Sequence, residues 1–228
     1  MPGSSAVAAL AALLALPAPA SAAGILFQFD TVFGANSVAP GGSAPWLNAT
    51  FVDTAGGVLL TLSNVNLAAT EKISVVDFNF NPGLNPANLT FGFQSSVGSF
   101  TSPTISTGVD AFKADGDGYY DIQLQFDTGG GSSARFDNGE SVTYLLAGIP
   151  GLTVGDFEYF SASSGGTVPF YAAAHMQGTG GGNVSAWVEP DLGPIPVPVP
   201  EPATSAILSM AAGVWFAGHL AGRKRGKI

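Results

Sequence analysis

This sequence predicts an all-β chain, an antiparallel two-sheet sandwich that is jelly-roll-like, plus one C-terminal transmembrane helix. Three observations lead there. Short runs of alternating apolar and polar residues recur through the middle of the chain, and clusters of Gly, Asn, Asp and Pro separate them. No stretch between Ala23 and Val199 sustains a 3.6-residue apolar period. Ala203 to Gly222, in contrast, holds no Asp, Glu, Lys or Arg.

The strands follow in order. Ile25 to Phe29 opens the set, and Val58 to Val65 comes after Gly56-Gly57 with Val58, Leu60 and Leu62 on one face. Ile73, Val75, Phe78 and Phe80 alternate except for one extra residue at Val76, which predicts a bulge there. Leu89, Phe91 and Phe93 alternate strictly, and so do Tyr120, Ile122, Leu124 and Phe126. Val142, Tyr144 and Leu146 repeat the pattern, and Phe157, Tyr159 and Ser161 repeat it less perfectly. Tyr171 to Met176 and Ala186 to Val188 complete about nine strands. Strict alternation gives each strand one face in the core and one in water, and short strands at this spacing suit a sandwich.

The two ends of the chain read differently from the middle. Ala6 to Leu16 is an apolar run broken by Pro17 and Pro19 and followed by Ala20-Ser21-Ala22. That is the pattern of a signal peptide over residues 1–22, although no Lys or Arg precedes the run. Residues 23–189 form the expected β-domain. Residues 190–202 are Pro-rich, with Pro at 190, 194, 196, 198, 200 and 202, which favours an extended polyproline II stalk. Residues 203–222 span about 30 Å as a helix, one hydrocarbon core. Residues 223–228 carry Arg223, Lys224, Arg225 and Lys227, a basic stop that places this tail in the cytoplasm.

The charges are unevenly shared. The chain has 16 acidic and 7 basic residues and a net charge of −9. Outside the tail the only basic residues are Lys72, Lys113 and Arg135, and every acidic residue except Glu201 lies before the stalk motif. So acidic a surface argues against nucleic acid as a partner. The chain has no cysteine, which excludes disulfides, zinc–thiolate sites and thiol catalysis.

Four features could carry chemistry. Asp115-Gly116-Asp117-Gly118-Tyr119-Tyr120-Asp121 places Asp115, Asp117 and Asp121 at i, i+2 and i+6, a spacing that can converge on calcium, with Asp110 near enough to help. The alternative is a hairpin turn in which Asp and Gly supply left-handed geometry. His175 is the single histidine ahead of residue 203, so it can serve as a lone general base but not in a His-rich metal site. Trp46, Trp187 and several Phe and Tyr residues could form a sugar-stacking platform, or simply fill the core. Glu140, Asp156 and Glu158 offer carboxylates for glycoside hydrolysis, a weak signal in so acidic a chain.

Val199-Pro200-Glu201-Pro202, then the apolar span, then the basic tail resemble the PEP-CTERM sorting signal of bacterial exported surface proteins. The Asp115–Asp121 block and Ala172-Ala173-Ala174-His175-Met176-Gln177-Gly178 resemble segments of one group of these proteins. The resemblance implies recognition of Val199, Pro200, Glu201 and Pro202 by exosortase, transient anchoring in the inner membrane, and release to the cell envelope or outside. It also implies a role in an extracellular matrix or biofilm beside exopolysaccharide. The expected function is therefore a non-enzymatic surface or matrix protein. The alternatives are a carbohydrate-binding sandwich module and a secreted hydrolase.

Overall fold

The computed structural model describes residues 23–197, apart from 69, 116, 117, 130, 132, 164–167, 183 and 192. The expected signal peptide, the Val199–Pro202 motif, the apolar span 203–222 and the basic tail lie outside the described residues. Among the described residues no helix is long and apolar enough to cross a membrane.

The described chain is all-β, and every strand pairing is antiparallel. One six-stranded sheet contains β1 (Gly24–Phe29), β3 (Leu47–Thr54), β4 (Gly57–Asn64), β6 (Thr90–Val97), β10 (Ser141–Ala147) and β14 (Ile195–Pro196). Its strand order is β14-β1-β3-β4-β10-β6. The second sheet contains β2 (Thr31–Phe33), β5 (Lys72–Phe78), β8 (Gly118–Gln125), β11 (Ala162–Ser163), β12 (Ala172–Gly178) and β13 (Val184–Glu189), in the order β11-β8-β5-β12-β13-β2. β7 (Thr104–Ala114) adds to it through β8, and β9 (Phe136–Asp137) through β5.

The two sheets share one apolar core, a sandwich-like arrangement. Val58, Leu60 and Leu62 of β4 and Val142, Tyr144 and Leu146 of β10 are buried, as their alternation requires. Ile122, Leu124 and Phe126 meet them from the other sheet. Phe51 lies at the centre of an aromatic cluster. Its ring meets Phe27 edge-on at 5.9 Å and Phe78 edge-on at 5.2 Å, and stacks on Phe157 at 4.7 Å. Each such side chain contributes roughly 1.5–3 kcal/mol by leaving water, and a chain without disulfides depends on that sum.

Several elements differ from the sequence expectation. The β5 bulge lies at Ser74, not Val76: Val75 pairs with His175 and Ile73 with Met176, leaving Ser74 unmatched. One extra residue anywhere between Ile73 and Val76 brings both inward, and the ladder to β12 selects Ser74. Val75 is consequently half-buried on the outer side, while Val76 joins the core. In β6 only the approach behaves as expected. Leu89 is buried and Phe91 half-buried, but Phe93 is 56% exposed, because β6 is the edge strand.

Phe157, Tyr159 and Ser161 do not form a strand. Val154–Phe157 is a 3-10 turn, at whose start the Asp156 carboxylate accepts from Thr153 N–H at 2.9 Å. That turn drives Phe157 onto Phe51. The start of the Pro-rich segment packs on the domain. Ile195 and Pro196 pair with Leu26 and Ile25, and Val197 N–H donates to the Gly24 carbonyl at 2.9 Å.

The β7–β8 hairpin is bent. Residues 108–111 bulge out between the Thr107–Ile122 and Phe112–Tyr120 pairs. Beyond the bend, Phe112, Ala114 and Tyr120 pack with Ala173, Phe33 and Trp187 in a second, smaller apolar cluster. Ala172 and Ala174 belong to the main core, so Ala173 faces outward. The hairpin end therefore covers the outer face of its own sheet.

Candidate functional site

The Asp115–Asp121 block occupies this bent hairpin. Asp121 holds the bend: its Oδ1 accepts from Asp110 N–H and its Oδ2 from Phe80 N–H, both at 2.9 Å. The first bond closes the bulge, and the second ties it to the chain leaving β5. Burial pushes the Asp121 carboxyl up, its two backbone donors pull it down, and the Asp110 carboxylate beside it raises it further.

Asp115 lies at the hairpin tip with φ 34°. Its carboxylate rests against Gly34, where a Cβ would collide with it. Gly34 itself has φ 87°, a left-handed conformation that favours glycine. Asp115 and Asp121 thus serve different neighbours, and Asp117 lies outside the described residues. Among the described residues no three metal-ligating side chains converge. The geometry fits the turn: φ is positive at Asp110 and Asp115, and both carboxylate oxygens of Asp121 accept from backbone N–H groups.

His175 stands on the outer face of β12. Its ring lies 4.8 Å from Trp187, tilted by 37°, and its Nδ1 is 2.7 Å from Ser74 Oγ. Ser74 Oγ also donates to the His175 carbonyl at 2.9 Å. A hydroxyl has one proton, so a ring Nδ1–H donating to Oγ satisfies all three groups. Burial holds the imidazole below its usual range, and the Asp115 charge partly offsets this. Ser74 is the unmatched residue of the β5 bulge, and there it meets the ring. With Ser74 buried and its hydroxyl bonded to both the ring and the carbonyl of His175, the pair clasps β5 to β12.

Several other carboxylates also accept from backbone N–H groups. Glu140 accepts from Ser99 N–H and Asp137 N–H, both at 2.8 Å. Glu71 accepts from Gly41 and Ala68, and Asp53 from Val154, each at 2.8 Å. Asp156 also accepts from Asn81 Nδ2 at 2.9 Å. Basic residues are scarce, and among the described residues the one ion pair is Arg135–Asp137 at 3.4 Å. The acids instead satisfy loop N–H groups, a use that composition alone does not reveal.

One cleft combines polar and aromatic walls. It encloses about 190 Å³ beside the hairpin bend, between Asp110 and Asp121 on one side and Pro82, Leu84, Tyr159 and Phe160 on another. Phe160 is 57% exposed, and its ring lies 4.1 Å from that of Tyr171. Of the two readings for Trp46 and Trp187, a sugar platform or packing, both residues take packing positions. Trp46 is in the core, with its indole N–H donating to the Gly42 carbonyl at 2.7 Å, and Trp187 backs His175. No family model, curated protein or solved structure matches this chain.

Proposed function

We propose that this chain is an exported, non-enzymatic surface or extracellular-matrix protein, sorted through a PEP-CTERM signal at its C-terminus. The observation that carries the reading is the order of its last thirty residues. Val199-Pro200-Glu201-Pro202 precedes an uncharged apolar span and then Arg223, Lys224, Arg225 and Lys227. The signal-peptide pattern over residues 1–22 supports it from the other end. Exosortase is the processing partner, the inner membrane a transient anchor, and exopolysaccharide the surroundings of the released domain. The jelly-roll form belongs to the same reading, supported by a chain that passes repeatedly between the two sheets. Replacing Glu201 by Ala should leave uncleaved precursor in the membrane fraction while changing domain stability by no more than about 0.5 kcal/mol. Normal processing of that variant would remove the sorting role.

The cleft favours a second reading, a carbohydrate-binding module. An exposed aromatic ring beside carboxylates is the usual chemistry for stacking a sugar and accepting from its hydroxyls. Glycan-array binding that disappears in Phe160→Ala supports it; array binding that survives the substitution places the sugar elsewhere.

A further inference from the structure

The outer face of the second sheet carries a polar hollow beside the Ser74–His175 clasp. The strand registers align Lys72 of β5, Gln177 of β12 and Ser185 of β13 in one cross-strand row. His175 and Trp187 form the next row. Their chain neighbours Ile73, Met176 and Ala186 belong to the core, so Lys72, Gln177 and Ser185 face outward. With His175 they line a hollow of about 310 Å³.

The polar groups of this hollow are not spent on the fold. Among the described residues Lys72 makes no ion pair, and the side chains of Gln177 and Ser185 make no hydrogen bond. Asp137 stands opposite Lys72 on β9, but its carboxylate pairs with Arg135 at 3.4 Å. Asp115, whose charge reaches the His175 ring, rests against Gly34 and does not line the hollow. The ring itself is fixed in place by Trp187 and by Ser74 Oγ. With its Nδ1–H given to Ser74, the neutral imidazole keeps Nε2 as an acceptor, and Nε2 has no partner among the described residues.

One ammonium, one ring acceptor, one amide and one hydroxyl select a ligand of mixed chemistry. A fully ionised phosphate or sulfate offers acceptors only and would leave Nε2 unmatched. A sugar acid uses all four groups: its carboxylate meets Lys72, one hydroxyl donates to His175 Nε2, and others exchange hydrogen bonds with Gln177 and Ser185. The net charge of −9 favours a ligand with a single negative charge over a polyanion. We propose that this hollow binds one uronate sugar, either free or as the isolated acidic unit of a neutral glycan. The site is separate from the cleft beside Phe160 and does not depend on the sorting signal.

NMR titration of the isotope-labelled full chain in mild detergent tests this. Glucuronate or galacturonate should shift the His175 ring and Gln177 side-chain resonances saturably, and glucose, which lacks the carboxylate, should bind at least tenfold more weakly. Lys72→Gln should weaken the uronate at least tenfold, and so should Gln177→Glu, which puts a like charge in the hollow. Phe160→Ala should leave it unchanged. A glucuronosyl-xylose disaccharide that binds threefold or more tighter than glucuronate assigns the hollow to a glycan unit; equal or weaker binding assigns it to a free sugar acid. Inorganic phosphate at equal concentration should not displace the uronate. The proposal is overturned if neither uronate shifts His175 and Gln177 saturably, if Lys72→Gln binds as the wild type does, or if phosphate or glucose binds as tightly.

Discussion

The carboxyl of Asp77 on β5 and the amide of Gln123 on β8 sit opposite each other in the ladder, and Gln123 Nε2 donates to Asp77 Oδ1 at 3.0 Å. Asp77 is fully buried, and its Oδ2 has no hydrogen-bond partner among the described residues. Burial pushes its pKa up to about 7, against the smaller opposing pull of Gln123.

Stability should therefore rise as pH falls from about 8 toward 4 as far as this group is concerned. A carboxyl whose folded pKa is raised stabilises the fold fully below its unfolded pKa, and that contribution is lost as pH rises through the folded value. Asp77→Asn keeps the shape and cannot ionise. It should stabilise the domain at pH 8 by about 1–4 kcal/mol and flatten this part of the profile. Urea unfolding of both proteins at pH 5 and pH 8 measures the difference; equal stabilities at pH 8 would contradict a strained carboxylate.

His175 should act in the opposite direction. Its folded pKa is lowered by burial, so the stability it contributes is present above the unfolded value and lost as pH falls through the folded one. Ser74→Ala removes the clasp and should cost about 1–2 kcal/mol at pH 8. NMR titration of the His175 ring should give a lower midpoint than an unfolded reference peptide, and that midpoint should move in Ser74→Ala.

Asp121→Ala should loosen the hairpin bend, since two backbone N–H groups lose a charged acceptor. The expected loss is about 1–3 kcal/mol. If the carboxylate works as a turn staple, the fall in melting temperature will be the same in EDTA and in millimolar calcium. A wild-type melting temperature that rises with calcium, with the rise absent in Asp117→Ala, would instead favour the cation reading of Asp115, Asp117 and Asp121.

Docking of the hairpin tip on Gly34 predicts a coupled pair. Gly34→Ala meets both a left-handed backbone and the Asp115 carboxylate and should cost about 1 kcal/mol or more. In an Asp115→Ala background the steric part disappears, so the double mutant should lose less than the sum of the single changes. Strict additivity by denaturant unfolding would separate the tip from Gly34.

Alternation alone located the interior strands β4, β8 and β10, because a strand covered on one side must repeat every second residue. β3 also alternates, with Leu47, Ala49 and Phe51 buried around Asn48 and Thr50, and was legible too, although it is missing from the expected strands. The bent β7 was not, because its bulge interrupts the phase. Of the candidate site, the Asp and Gly turn chemistry at the hairpin tip was legible in local spacing. The Ser74–His175 clasp was not, because its two residues lie far apart in the chain and meet only through the β5–β12 register.

The residues by themselves determined the all-β class, the freedom from disulfides, the acidic balance and the uncharged stretch from Phe78 to Val109, since each depends on composition or near-neighbour order. Only the tertiary structure decided which strand became an edge, which carboxylate was buried and which serine faced the histidine. Those outcomes depend on which segments lie beside each other across the sheets. The same alternating pattern therefore buries Leu146 completely in β10 and leaves Phe93 in water on β6.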